Sequence, residues 1–174
     1  MVRFYKPMFV LLGILSAVAS AQAEAPQVTW PSGWVVEPLA QEGASAAVSR
    51  QRAVKNDEGG TPVMVMELTM TQVESGHQVN VQGVLLEMRK AVQKDFFQSG
   101  YQSVCNKIHP ATLSRLSALE TTCTITQNGR HVLSQTLVGA VDDDKAYVLS
   151  FAGQAEAYKA SREEIEGVRN SLKL

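Results

Sequence analysis

The chain has 174 residues, 45% of them hydrophobic, and a formal charge of −1, values that leave room for a packed core without a metal or disulfide carrying the fold alone. Its first 23 residues read as a leader, and removing Arg3 and Lys6 with it leaves 151 residues and a charge of −3. That mild acidity argues against nucleic acid as a partner, because nucleic acid selects for basic surfaces, and against docking on anionic lipid.

The leader is read from three features. Met1–Lys6 carries two bases and no acid, Pro7 to Ala19 is largely apolar, and Ala21-Gln22-Ala23 places small residues where a signal peptidase reads. Together they describe a secretory signal cleaved after Ala23. A membrane anchor is the alternative, but a spanning helix needs about 20 apolar residues, and this run meets Gln22, Glu24 and Gln27 too soon. No cysteine lies near the junction, so a lipid-modified N-terminus is not expected. The expectation is one domain over 24–174, periplasmic or secreted, with no transmembrane segment.

Two cysteines, Cys105 and Cys123, remain in the exported part. An even count in an oxidising compartment reads as a bridge. A redox site would want C-x-x-C, and a metal site would want closely spaced companions. Neither pattern is present, so the pair is assigned to a structural disulfide.

In chain order, Trp30-Pro31-Ser32-Gly33-Trp34 reads as a turn between extended pieces. Ala46–Lys55 and Val63–Thr71 read as two strands of a hairpin around Asn56–Gly60. From Val81, the apolar residues Val84, Leu85, Met88, Val92 and Phe96 follow at steps of three and four, which predicts an amphipathic helix over 81–98. Asn80 suits its N-cap and Gly100 its stop. Then the period changes to two. Leu119, Thr121, Cys123 and Ile125 alternate with Glu120, Thr122, Thr124 and Thr126, a half-buried strand with one wet face. Asn128-Gly129 is a strong type I′ hairpin signal, with His131–Val141 pairing back. Asp142–Lys145 turns the chain into Ala146–Ala152. Ser161 to Glu164 has the form of a capping box, opening a helix with Ile165, Val168 and Leu172 on its buried stripe. Strands grouped between helices give an α+β class: a twisted antiparallel sheet, built from an N-terminal hairpin and a C-terminal meander and packed by two main helices.

The opening Trp30-Pro31-Ser32-Gly33-Trp34 and the closing Tyr147-Val148-Leu149-Ser150-Phe151 to Val168-Arg169-Asn170-Ser171-Leu172 resemble the PsbP/DcrB-like fold. The resemblance spans nearly the whole exported part. It also extends to uncharacterised families of small bacterial exported proteins. It implies an α/β/α sandwich and an accessory or binding role, and it carries over no functional residues, because the fold has no shared catalytic motif.

Candidates for chemistry each have a simpler reading. His77, His109 and His131 lie in separate turn-like contexts, and there is no G-x-S-x-G elbow for a hydrolase. Asp142-Asp143-Asp144 followed by Lys145 lacks the alternating oxygen ligands of a calcium loop and reads as a solvated turn. Met64, Met66 and Met70 share one strand face; thioethers select Cu(I), but Met is also a good core filler and that reading is preferred. Trp30 and Trp34 are read as anchors of the first strand rather than a ligand platform. No cofactor and no metal are expected.

What remains is an exported, non-enzymatic accessory or binding protein acting on another cell-envelope protein, with Thr122, Thr124 and Thr126 as the possible partner face. The alternatives are a small-molecule or lipid carrier with a pocket between helix 81–98 and the sheet, and a hydrolase without a recognisable motif.

Overall fold

A computed structural model describes residues 25–39 and 47–174. The leader, and Ala46 at the start of the first predicted hairpin strand, lie outside the described residues. The elements are β1 (Trp34–Glu37), β2 (Val48–Asn56), β3 (Pro62–Gln72), α1 (Val81–Gln98), β4 (Gln102–Cys105), β5 (His109–Leu113), β6 (Leu116–Gln127), β7 (Arg130–Asp142), β8 (Lys145–Gln154), α2 (Ala155–Ala160) and α3 (Arg162–Ser171).

All eight strands form one antiparallel sheet in the order β1-β2-β3-β8-β7-β6-β4, with β5 also on β6. The hairpin and the meander are therefore one surface, joined where β8 pairs with β3. Helix α1 covers one face over β4, β6 and β7, and α2 and α3 cover the other. This is the α+β sandwich that the element order implies.

Local chemistry explains the well-predicted pieces. The Asn80 side chain accepts a hydrogen bond from the Gly83 amide at 3.0 Å, capping α1. At its other end Gly100 takes φ +81°, its amide donates to Phe97 O at 3.1 Å, and the Tyr101 amide donates to Phe96 O at 2.9 Å. These two bonds form a Schellman stop, and the Phe96 and Tyr101 rings meet edge-on across it, 5.9 Å apart. Asn128 and Gly129 have φ of 49° and 75°, the double positive φ of a type I′ turn.

Several expectations need correction. Val84 does not belong to the buried stripe: it is 42% exposed, while Leu85 is fully buried. Strands β4 and β5 carry no clear signal in the sequence, and His109-Pro110 opens β5 rather than lying in a loop. Both strands pair with β6 in succession along its length. Proline is tolerated in β5 because that strand is at the sheet edge, where an amide can be dispensed with. Between the two, the Asn106 side chain stands in for a strand, its Oδ1 accepting from the Thr122 amide at 2.8 Å and the Thr121 hydroxyl at 3.2 Å. The Ser161–Glu164 capping box is not made either, for Ser161 forms no side-chain cap. Its hydroxyl and the Glu164 carboxylate instead receive Lys55 Nζ, at 3.3 and 2.7 Å.

The core lies between the sheet and α3. Met64, Met66, Leu68 and Met70 of β3 pack there with Tyr147, Leu149 and Phe151 of β8 and Ile165, Val168 and Leu172 of the C-terminal segment. The methionine stripe is thus core, with exposures of 2, 0 and 3%. Trp34 anchors β1, buried at 8% and donating from Nε1 to Glu164 Oε2 at 3.2 Å.

Candidate functional site

Beside α2 and α3 an open cleft of about 750 Å³ lies on the sheet. Its floor is the helix-side face of β6 and β7, with Glu120, Thr122 and Ser134. Its wall is made by Tyr158, Lys159, Arg162, Glu166 and Arg169. Alternation along β6 explains the floor: Leu119, Thr121, Cys123 and Ile125 turn to the α1 side, so Glu120, Thr122, Thr124 and Thr126 turn to the cleft side.

Most polar groups in the cleft are engaged with one another. Thr122 Oγ1 lies 2.6 Å from Thr136 Oγ1, which lies 2.5 Å from Tyr158 Oη, a chain of three hydroxyls between sheet and α2. The Tyr158 ring stacks on Phe151 at 5.8 Å. Burial pushes its phenol above the usual range, with hydrogen bonding to Thr136 and Thr122 pulling the other way. Deeper in, Arg169 Nη1 sits 2.9 Å from Glu120 Oε2, and Arg169 Nη2 donates to Thr112 O at 2.8 Å. Only about a tenth of the Arg169 side chain is exposed, so this pair and its backbone partner form a buried tie between α3, β5 and β6.

One feature looks catalytic at first sight. His131 Nε2 is 2.9 Å from Ser134 Oγ. Residues three apart on a regular strand face opposite ways; the irregularity opposite Ile125 and Thr126 brings these two together. The same nitrogen also lies 3.0 Å from the Leu133 carbonyl. A carbonyl only accepts, so this nitrogen is shared between two oxygens rather than held for Ser134 alone. The pair braces the bulge.

The predicted partner residues are not equivalent. Thr124 is exposed and pairs with Ser134; Thr126 pairs with His131; Thr122 is half-buried and committed to Thr136. The face is therefore less simply wet than alternation implies. Sequence reading misses Tyr158, Lys159, Arg162 and Arg169 as its neighbours, since only the fold-back of α2 and α3 brings them there.

The other candidates fall out as follows. Cys105 and Cys123 are bonded, directly opposed on β4 and β6 with Cα atoms 3.9 Å apart. The Asn106 amide bonds Thr122 O in the next pair along, so the cysteines occupy the non-hydrogen-bonded position, where Cα atoms come closest. That position brings Cα atoms to about 4.5 Å, short of the roughly 5.5 Å usual for disulfides, and this pair is closer still. Asp143 and Asp144 form the two-residue β7–β8 turn, with Asp143 at φ 49°. Among the described residues no group of three or more His, Cys, Asp or Glu is placed to hold a metal, and no described helix is long and apolar enough to cross a membrane. A pocket between 81–98 and the sheet meets α1 seated directly on β7: a Cβ on Gly139 would come within 2.9 Å of Val81 Cγ1. The 750 Å³ cleft is on the opposite face.

This eight-stranded sheet layered between α1 and α2–α3 is a PsbP-like fold. It is similar to the solution structure of cyanobacterial PsbP (CyanoP) from Synechocystis sp. PCC 6803, with a TM-score of 0.59 and 12% identity over 93% of this chain and 99% of that one. It is also similar to the crystal structure of LpqN, involved in cell envelope biogenesis of Mycobacterium tuberculosis, with a TM-score of 0.54 and 15% identity over 90% and 86% of the two chains. By sequence, the chain belongs to the DUF4946 family, described as a domain of unknown function, whose model matches residues 25–174. Comparison with curated proteins gives no match.

Proposed function

We propose that this is an exported, non-enzymatic accessory protein that binds another cell-envelope protein through the cleft-side face of β6. The observation that carries the reading is the internal pairing of the cleft: Glu120 with Arg169, Thr122 with Thr136 and Tyr158, His131 with Leu133 O and Ser134. Catalysis needs a base or nucleophile held ready for a substrate, whereas these groups hold the surface in shape. The leader-like residues 1–23 and the Cys105–Cys123 bridge support export. The involvement of LpqN, a neighbour in fold, in cell envelope biogenesis supports the same compartment.

Thr124 is the residue to test, since it is exposed and makes no described side-chain hydrogen bond, whereas an arginine at Thr122 would break the hydroxyl chain. Thr124→Arg is expected to abolish capture of a partner from envelope extracts while leaving the disulfide and melting temperature unchanged. Capture that survives Thr124→Arg, or purified protein that turns over a substrate, would overturn the proposal.

A further inference from the structure

Resting on that reading, we infer that the docking segment of the partner is an extended acidic stretch whose carboxylates are held by Lys159 and Arg162, and that it turns an apolar side chain toward Val104 on the same sheet face. The inference follows from which cleft groups remain unspent. Arg169 is used by Glu120, Glu166 and the Thr112 carbonyl. Lys159 and Arg162, both exposed on the cleft wall, make no ion pair with any described residue. The hydroxyl chain adds a third donor. Thr122, Thr136 and Tyr158 bring three O–H groups to two mutual bonds, so one proton is left over to point away from the chain. Unspent groups here are chiefly donors, and a carboxylate is an acceptor that two cations and a hydroxyl can share. Glu156 and the half-exposed Glu166, which is paired with Arg169, are the acids that share this wall.

The shape of the partner follows from the backbone. Over 123–126, β6 is paired on both sides, with β4 and with β7, so nothing can join it as a strand. The edge of β4 is guarded at one point as well: the Ser103 carbonyl accepts from Gln93 Nε2 at 3.1 Å. Recognition is left to side chains on the face. Thr122, Thr124 and Thr126 stand there at the two-residue repeat of a strand, matching an extended chain laid alongside. Val104, opposite Thr124 in register and 71% exposed, is the apolar contact on the same face.

The test is an amide NMR titration of the exported protein with a short peptide alternating Glu and Val, its Lys-for-Glu counterpart, and free citrate. The acidic peptide is expected to move the Thr122, Thr124, Ser134 and Tyr158 amides, with affinity falling as salt rises. The pair Lys159→Glu and Arg162→Glu is expected to weaken it by about tenfold or more. An equal response to the basic peptide, or none to either, overturns the inference. Citrate binding at these amides without the acidic peptide overturns it in favour of a small anion. If Thr124→Arg abolishes partner capture while the Lys159 and Arg162 reversals leave capture intact, the acidic segment is wrong and the docking face stands.

Discussion

Gly153 stands directly opposite Met64 across the β3–β8 ladder, and the space a side chain would take at Gly153 is filled by Met64 Sδ. A Cβ there would also come within 2.5 Å of the Val63 carbonyl, which is backbone and cannot swing aside. The flexible thioether closes a gap that a branched side chain would fill less well.

Gly153→Ala is therefore expected to destabilise the fold by about 1–3 kcal/mol through overpacking. Met64→Leu, nearly volume-conserving, should cost less than about 1.5 kcal/mol. Urea midpoints at fixed slope would measure both. A Gly153→Ala midpoint equal to that of the parent would mean that β3 and β8 can separate at no cost.

The Cys105–Cys123 bridge spans 18 residues, and closing a loop of that length stabilises by about 3 kcal/mol in the chain-entropy model. Replacing both cysteines with alanine should lower stability by roughly that amount while leaving the far-ultraviolet spectrum unchanged. The parent protein, denatured without reductant, should show no titratable thiol. Free thiols in that assay would refute the pairing.

The Lys55–Glu164 contact gives a pH dependence of known sign. Burial alone would raise the Glu164 carboxyl, but hydrogen bonds from Lys55 and Trp34, together with the Lys55 charge, outweigh it and hold the group below its ordinary value of 4.5. The unfolded chain then takes up the proton more readily than the folded one. The stabilisation is present above about pH 4.5 and is lost as pH falls through the lower folded value. Glu164→Gln should weaken the protein near neutrality and lose less than the parent on acidification. Parallel denaturation curves at pH 7 and pH 3 would show it, and equal acid losses would disprove it.

Gly129 supplies the second positive φ of the β6–β7 turn, at 75°. Gly129→Val forces a β-branched residue into that conformation and should cost about 1–3 kcal/mol. Gly129→Asn should cost less, because asparagine tolerates the left-handed region. Melting temperatures that rank valine at or above asparagine would show the turn to be of another kind.

Local signals carry much of this protein. The alternation that puts Cys123 on one face of β6, the Asn80 cap, the Gly100 stop and the Asn128-Gly129 turn are each written within a few residues, because capping, period and turn geometry are short-range physics. The N-terminal hairpin and the C-terminal meander are legible for the same reason. Tertiary structure decides what the local code does not contain. The pairing of β8 with β3 joins segments far apart in sequence, and β4 and β5 are too short to announce themselves until both find β6. Ser161 and Glu164 spell a cap, yet their partner is Lys55, because a nearby ammonium outcompetes a backbone amide for a carboxylate. The cleft itself belongs to this second class. Thr122 and Thr124 are readable as a polar face, but Lys159, Arg162 and Arg169 reach it only once α2 and α3 fold back over the sheet, a long-range packing choice driven by burial of Ile165, Val168 and Leu172.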